Sequence, residues 1–287
     1  QEEMYKLILS DLTTAVNIAS SARIDKSYFN KESAAAVLAQ VHQVMGNWAD
    51  ASKYAKIAYG NNVATALDAT AYRNGFNDMN ANKEWLLASP QSEDQSAYYW
   101  TAPFAFIDHT TTSYYATYIN ADFVSKFSNT DVRNLFVASS TITNPADFRR
   151  YTTRKFKFNF GSDVPLIRTA EMILIDAEAL ARTPGKEAEA HDLLYALQKN
   201  RDVNAVKSTN TGAALIDEIL LERRKELYAE NGVEWFDAKR LRKGITRTGN
   251  HRIFKNLSAD DKRFFLKVPQ SEIDANESID DTVNKDR

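Results

Sequence analysis

Apolar residues recur at helical spacing near the start of the chain and again from Pro165 onward, with a stretch of different character between. Met4, Leu7, Ile8, Leu12, Ala15 and Ala19 form a first stripe and predict an opening helix. Lys31 to Gly60 reads as a helix-turn-helix. Asn30 is placed to cap its first helix, whose buried stripe is Ala34, Leu38, Val41 and Met45. Gly46 ends that helix, Asn47 is placed to cap the next, and Gly60 closes it. Two further pairs are predicted, Arg168–Arg182 with Glu187–Arg201, and Ala214–Ala229 with Glu234–Leu241. The first turns through Thr183-Pro184-Gly185-Lys186 and the second through Asn231-Gly232. From 61 to about 165 the helical period fades and Asn, Thr, Ser and aromatics dominate. One helix is expected there, near Ala121 to Phe127. Lys155-Phe156-Lys157-Phe158-Asn159-Phe160 alternates as a half-buried strand with its lysines toward water. An extended segment at 264–269 and a polar tail end the chain.

The fold class expected is all-α, a superhelix of helix pairs with a loop-rich insertion containing short strands. The helical scaffold would occupy 1–60 and 165–260 and the insertion 61–164, all in one domain. In the first pair, Gly46, Trp48, Ala51, Ala55 and Ala58 fit a tetratricopeptide repeat: small alanines let helices approach closely while Trp48 fills the gap. The second pair repeats the spacing through Ala190, Leu194 and Leu197 without an aromatic to match Trp48.

Composition supports this. Glycine is 9 of 287 residues, well below the usual share of about 7%, which favours helices over a turn-rich sheet protein. A formal net charge of −2 gives no global attraction to nucleic acid or an anionic membrane. No apolar run is long enough to span a bilayer. Cysteine is absent, which removes disulfides, thiolate metal sites and cysteine nucleophiles. Because Gln1 opens directly on a helical pattern, the natural N-terminal part is expected to be missing, and any anchoring cysteine would lie upstream.

Three stretches together resemble the SusD/RagB family of surface glycan-binding lipoproteins. Arg168-Thr169-Ala170-Glu171, continuing through Leu174-Ile175-Asp176-Ala177-Glu178-Ala179, matches that family's R-x-A-E-x-x-L-I-x-A-E-A helix. Glu222-Arg223-Arg224-Lys225-Glu226-Leu227, followed by Glu230, Trp235, Asp237, Arg240 and Gly244, is similar to its E-R-R-x-E-L segment and the motif after it. Val268-Pro269 with Glu272 and Asn276 resembles its C-terminus. Glu234 stands where the family usually has arginine, and Ser278 follows Glu277 where an Asn-Pro tail is usual. The resemblance implies a tetratricopeptide-like scaffold, lipid-anchored to the outer membrane, that holds oligosaccharides over a SusC-like TonB-dependent transporter. It implies no cofactor and no catalysis.

The candidate binding surface is the aromatic cluster at 98–118, where eight aromatics fall within 21 residues. Sugar rings lay C–H faces on aromatic rings while their hydroxyls seek amide, hydroxyl and carboxyl partners. Tyr98, Tyr99, Trp100, Tyr114 and Tyr115 would supply platforms, and Asp108, His109, Asn120 and Asn74 polar contacts. The bland reading is that several of these aromatics pack the insertion onto the repeats, since three consecutive side chains cannot share one strand face.

Other clusters take bland readings. Glu222, Glu226 and Glu230 stack on one helix among basic residues, as do Glu171 and Glu178 on another, and are read as salt-bridged helix partners rather than a glycosidase pair. Lys239, Arg240, Arg242, Lys243, Arg247, Arg252 and Lys255 read as a solvated helix end rather than a nucleic-acid surface. Asn74, Asn77, Asp78, Asn80 and Asn82 offer calcium-like oxygens, but without an acidic residue at the remove a calcium loop needs. The four histidines share no ligand spacing. Two other functions stay open: a tetratricopeptide scaffold that binds protein in a groove, and a helical glycoside-active enzyme with two desolvated carboxylates beside the aromatics.

Overall fold

A computed structural model describes residues 2–94, 103–110 and 116–285. α1 (Glu2–Ile18) leads into α2 (Lys31–Met45) and α3 (Trp48–Tyr59), followed by short α4 (Val63–Ala66) and α5 (Ala69–Asn74). The middle of the chain carries β1 (Trp85–Ser89), a 3-10 turn at Pro103–Phe106, short α6 (Ala121–Val124), β2 (Phe136–Ala138), β3 (Tyr151–Thr153) and β4 (Val164–Arg168). Helices resume with α7 (Thr169–Ala181), α8 (Glu187–Arg201), α9 (Gly212–Leu227), α10 (Val233–Arg240) and α11 (Gln270–Ala275). The fold is mostly helical with a few short strands, as the period of its apolar residues predicts.

The α2–α3 pair forms for local reasons. The Asn30 side chain accepts from Ser33 N–H while the Ser33 hydroxyl accepts from Asn30 N–H, a reciprocal capping box. Gly46 and Gly60 end α2 and α3 at φ 73° and 72°, the left-handed region that glycine enters freely. Asn47 makes no side-chain cap; its amide turns back toward His42. Ala34, Leu38, Ala51, Ala55 and Ala58 are buried at the helix contact. Met45, expected in that stripe, is 39% exposed. α1 also departs from its predicted face. Met4 and Leu7 point outward, while Leu9, Leu12 and Val16 meet the core, because α1 packs chiefly on α2.

α7 is the hub. It packs against α3, α8 and α9, and every one of its residues is buried. A helix enclosed on all sides must satisfy its own carboxylates. Glu171 pairs with Arg223 at 3.0 Å and Glu178 with Arg240 at 2.8 Å. Asp176 accepts from the Ser52 and Tyr59 hydroxyls at 2.6 and 2.8 Å. Burial raises the Asp176 pKa above its ordinary value, and the two hydroxyls and Lys56 only partly offset this. A folded pKa above the unfolded one means that Asp176 contributes stability at low pH that is lost as pH rises through the carboxylate range. Asp176→Asn, which leaves one oxygen to accept and no charge to bury, is therefore expected to keep neutral-pH stability within about 1 kcal/mol of the parent. A thermal melt compared at acidic and neutral pH checks it; a large loss at neutral pH would show that the charged carboxylate is required.

β1 and β4 pair antiparallel, Trp85 opposite Arg168 and Ser89 opposite Val164, so they join the two ends of the middle segment at its base. β2 and β3 form a second antiparallel pair with Phe136 opposite Thr153. A separate core of Tyr72, Phe76, Trp85, Phe104, Phe156 and Phe158 lies under this segment.

Candidate functional site

Between the helices and the middle segment sits a buried knot of charge. Glu226 on α9 contacts Arg168 and Arg201 at 2.9 Å each and Arg133 at 3.1 Å. Glu84, just before β1, binds Arg201 at 2.7 Å and Arg168 at 3.1 Å. Glu230 takes Arg168 at 2.7 Å and Lys155 at 2.6 Å, while Glu222 and Asp131 complete the shell of Arg133. Glu222 and Glu226 of α9 are thus structural partners, as is Glu230, although it does not continue their row because α9 ends at Leu227. Tyr72, Phe76 and Tyr228 lay their rings against these cations.

Lys155 corrects the alternating-strand reading. It is fully buried, with its ammonium donating to the Glu226 and Tyr228 carbonyls and to Glu230. Only Lys157 faces water, and the segment makes an isolated bridge from Phe156 to Phe76 rather than a strand. Burial lowers the Lys155 pKa to about 8, although Glu230 pulls the other way.

The knot fixes the base on which the middle segment rides. Of the candidate residues, Tyr98, Tyr99, Trp100, Tyr114 and Tyr115 lie outside the described residues. Asp108 is 3% exposed, and its two oxygens accept the backbone N–H groups of Thr110 and Phe158. It holds the loop rather than standing open. Asn74 is exposed at the end of α5. Asn120 caps α6 and donates to the Thr248 carbonyl.

His109 is half-buried, with Nε2 2.7 Å from the Thr117 carbonyl, which places the ring proton on that nitrogen. Burial lowers its pKa, against the opposing pull of the Thr117 carbonyl and Asp108. From His109 a ladder of rings runs across the surface. Tyr118 meets His109 edge-on at 4.9 Å, and Phe148 meets Tyr118 edge-on at 5.7 Å. The guanidiniums of Arg149 and Arg252 each lie 5.6 Å from the centre of the Phe148 ring. Tyr118 belongs to the aromatic cluster visible in the sequence. Phe148 and Arg252 carried no local signal, because 104 residues of chain separate them. The basic run is only partly a helix end: Lys239 and Arg240 are in α10, while Arg242, Lys243, Arg247, Arg252 and Lys255 lie beyond it.

Among the described residues no group of His, Asp or Glu side chains is placed to hold a metal ion. In the Asn-rich loop the Lys26 ammonium already binds the Met79 and Asn82 carbonyls, and Asp78 accepts from Asn80 N–H in a turn. No described helix is long and apolar enough to cross a membrane.

The SusD family model matches residues 59–284. The chain belongs to the SusD family. The likeness extends to solved structures. A SusD-like carbohydrate-binding protein from Bacteroides vulgatus is similar over 99% of this chain and 65% of its own length, at 24% identity and a TM-score of 0.82. A SusD superfamily protein from Bacteroides thetaiotaomicron matches over 96% and 64% at 24% identity and a TM-score of 0.81. One from Parabacteroides distasonis matches at 18% identity, over 96% of this chain and 67% of that one, with a TM-score of 0.73. This chain thus spans about two thirds of the length of these SusD proteins, and at such identities the likeness speaks for the fold. No curated protein matches it. Where this SusD chain departs from the usual arginine before Trp235, Glu234 pairs with Arg224 at 2.8 Å.

Proposed function

We propose that this SusD-family chain captures an oligosaccharide without altering it, at the outer surface of a bacterium. In this reading a lipid on an upstream cysteine holds it to the outer membrane, and a SusC-like TonB-dependent transporter receives the sugar. The observation that carries the proposal is the half-buried ring ladder His109–Tyr118–Phe148, whose first two members flank Tyr114 and Tyr115 in the sequence. A pyranose needs flat apolar faces flanked by donors and acceptors, and this strip offers both. Membership of the family and its solved carbohydrate-binding relative support the same reading.

The carboxylates near the ladder argue against hydrolysis. A glycosidase needs one carboxyl whose pKa is raised so that it can donate a proton. Asp147 is held at about 2 by its hydrogen bonds from Arg149, and Asp108 is tied to two backbone amides. A protein-binding scaffold would instead use a groove between repeats and ignore the ladder.

A glycan array with a reducing-sugar assay on the same samples tests the proposal. Binding without release of sugar is expected. Trp100→Ala with Tyr114→Ala, and separately Tyr118→Ala with Phe148→Ala, are each expected to weaken binding at least about tenfold, equivalent to about 1.4 kcal/mol, with melting temperature nearly unchanged. Unaltered affinity in both folded double variants would remove the site from this face.

A further inference from the structure

Resting on that reading, we infer that the captured oligosaccharide is acidic, carrying carboxylate or sulfate-ester groups that the arginines around Phe148 receive. Three segments distant in sequence meet at this point, and a buried amide joins them. Asn250 is 4% exposed. Its Oδ1 accepts from Ala121 N–H at 2.7 Å and its Nδ2 donates to the Asp147 carbonyl at 2.8 Å. The loop bearing Arg252 is thereby fastened to the loop bearing Phe148 and to the start of α6, three residues past Tyr118, the middle ring of the ladder.

The charges collected there do not cancel. Arg149 is paired with Asp147 at 2.8 Å. Arg252 is exposed and has no carboxylate partner among the described residues, so only the Phe148 ring orients its guanidinium. Arg150, two residues along the chain from Phe148, donates to the Ser139 and Ile142 carbonyls, contacts that hold its side chain without neutralising it. The neighbouring acids are few, and Asp108, beside His109, is buried with its oxygens on the Thr110 and Phe158 amides. Asp122 is exposed at the flank, and Glu234 is committed to Arg224. Segments 95–102 and 111–115 contain no charged residue. A chain with a net charge of −2 therefore presents a locally cationic face beside its ring ladder.

A neutral sugar has no use for such a surplus, since hydroxyls are served as well by amides. A guanidinium held against an aromatic face presents its planar donors as a fork, the geometry that matches a carboxylate or sulfate ester in a two-point contact. Exposed arginines add little to stability by themselves, so folding does not explain their concentration here.

Titration calorimetry separates the possibilities, using an oligogalacturonide for the carboxylate arm, a keratan sulfate oligosaccharide, which has no uronic acid, for the sulfate arm, and malto- and galacto-oligosaccharides as neutral ligands. At least one acidic series is expected to bind about tenfold tighter than the neutral ones, and to lose affinity as salt rises. Arg252→Gln is expected to abolish that preference, Arg252→Lys to restore part of it, and Arg242→Gln, at an exposed pair with Asp260, to change nothing. Neutral sugars binding as tightly as acidic ones would overturn the inference and leave glycan capture standing. Equal losses in Arg252→Gln and Arg242→Gln would also overturn it, marking diffuse polyelectrolyte attraction. Binding of no sugar in either series would overturn glycan capture and the inference together.

Discussion

Glu226→Ala is expected to lower the stability of the fold by about 3–5 kcal/mol, the range seen when one partner of a buried ion cluster is removed. Glu226 is fully buried and touches Arg168, Arg201 and Arg133, so its loss leaves three guanidiniums sharing too few acceptors away from water. A domain holds about 5–15 kcal/mol in total, so this one change removes a large fraction of it. The exposed Arg242–Asp260 pair is the contrast; breaking it is expected to cost less than about 1 kcal/mol. Denaturant midpoints for Glu226→Ala and Asp260→Ala beside the parent decide the matter, and similar small shifts in both would show that the knot is not holding the molecule together.

The same knot sets a pH dependence. Burial alone would raise the Glu226 and Glu230 pKa values, but Arg201, Arg168 and Arg133 around the first, and Arg168 and Lys155 around the second, hold both below their ordinary values. A depressed folded pKa means that these glutamates contribute stability fully present above the unfolded carboxylate pKa of about 4.3 and lost as pH falls below it. Lys155 acts at the alkaline end. Its folded pKa of about 8 lies below its ordinary value of 10.5, so between the two the unfolded chain binds the extra proton and stability rises with pH, levelling off above that range.

What could be read in advance divides along the range of the forces involved. The helix pairs were legible because their causes are local: Asn30 and Ser33 cap α2 within one turn, and Gly46 and Gly60 stop their helices where the apolar stripe ends. The salt-bridged role of Glu222, Glu226 and Glu230 was legible too, since acids at helical spacing among arginines have few other uses, although Glu230 lies past the end of α9. Lys155 was not. Its neighbours describe an alternating strand, and only Glu226, Tyr228 and Glu230, more than 70 residues away, make a buried ammonium tolerable. Asp108 fits a list of sugar-binding residue types yet spends its carboxylate on Thr110 and Phe158. The junction of Phe148 with Arg252 depends on the two hydrogen bonds of Asn250 to other segments, which no window of neighbouring residues contains.

That junction leans on a glycine. Gly244→Ala is expected to cost about 2–4 kcal/mol, combining backbone strain with a steric clash. Gly244 sits at φ +67°, and a Cβ built there would fall well inside contact with the Leu257 carbonyl oxygen and 3.0 Å from the Ser258 carbonyl carbon. Those atoms are backbone, held by the two hydrogen bonds between Ile245 and Leu257 at 2.9 Å, so no side chain can swing aside to make room. Gly60 separates the two causes. It has nearly the same backbone angle, φ +72°, but nothing within 4 Å of its would-be Cβ, so Gly60→Ala carries the strain alone and is expected to cost about 1–2 kcal/mol. If Gly244→Ala melts no lower than Gly60→Ala, the packing of residue 244 on 257–259 is not what closes this loop. If it melts lower, the chain from 245 to 257 should also loosen, carrying Arg252 away from Phe148. Affinity for an acidic oligosaccharide would then fall further than affinity for a neutral one, measured below the melting transition.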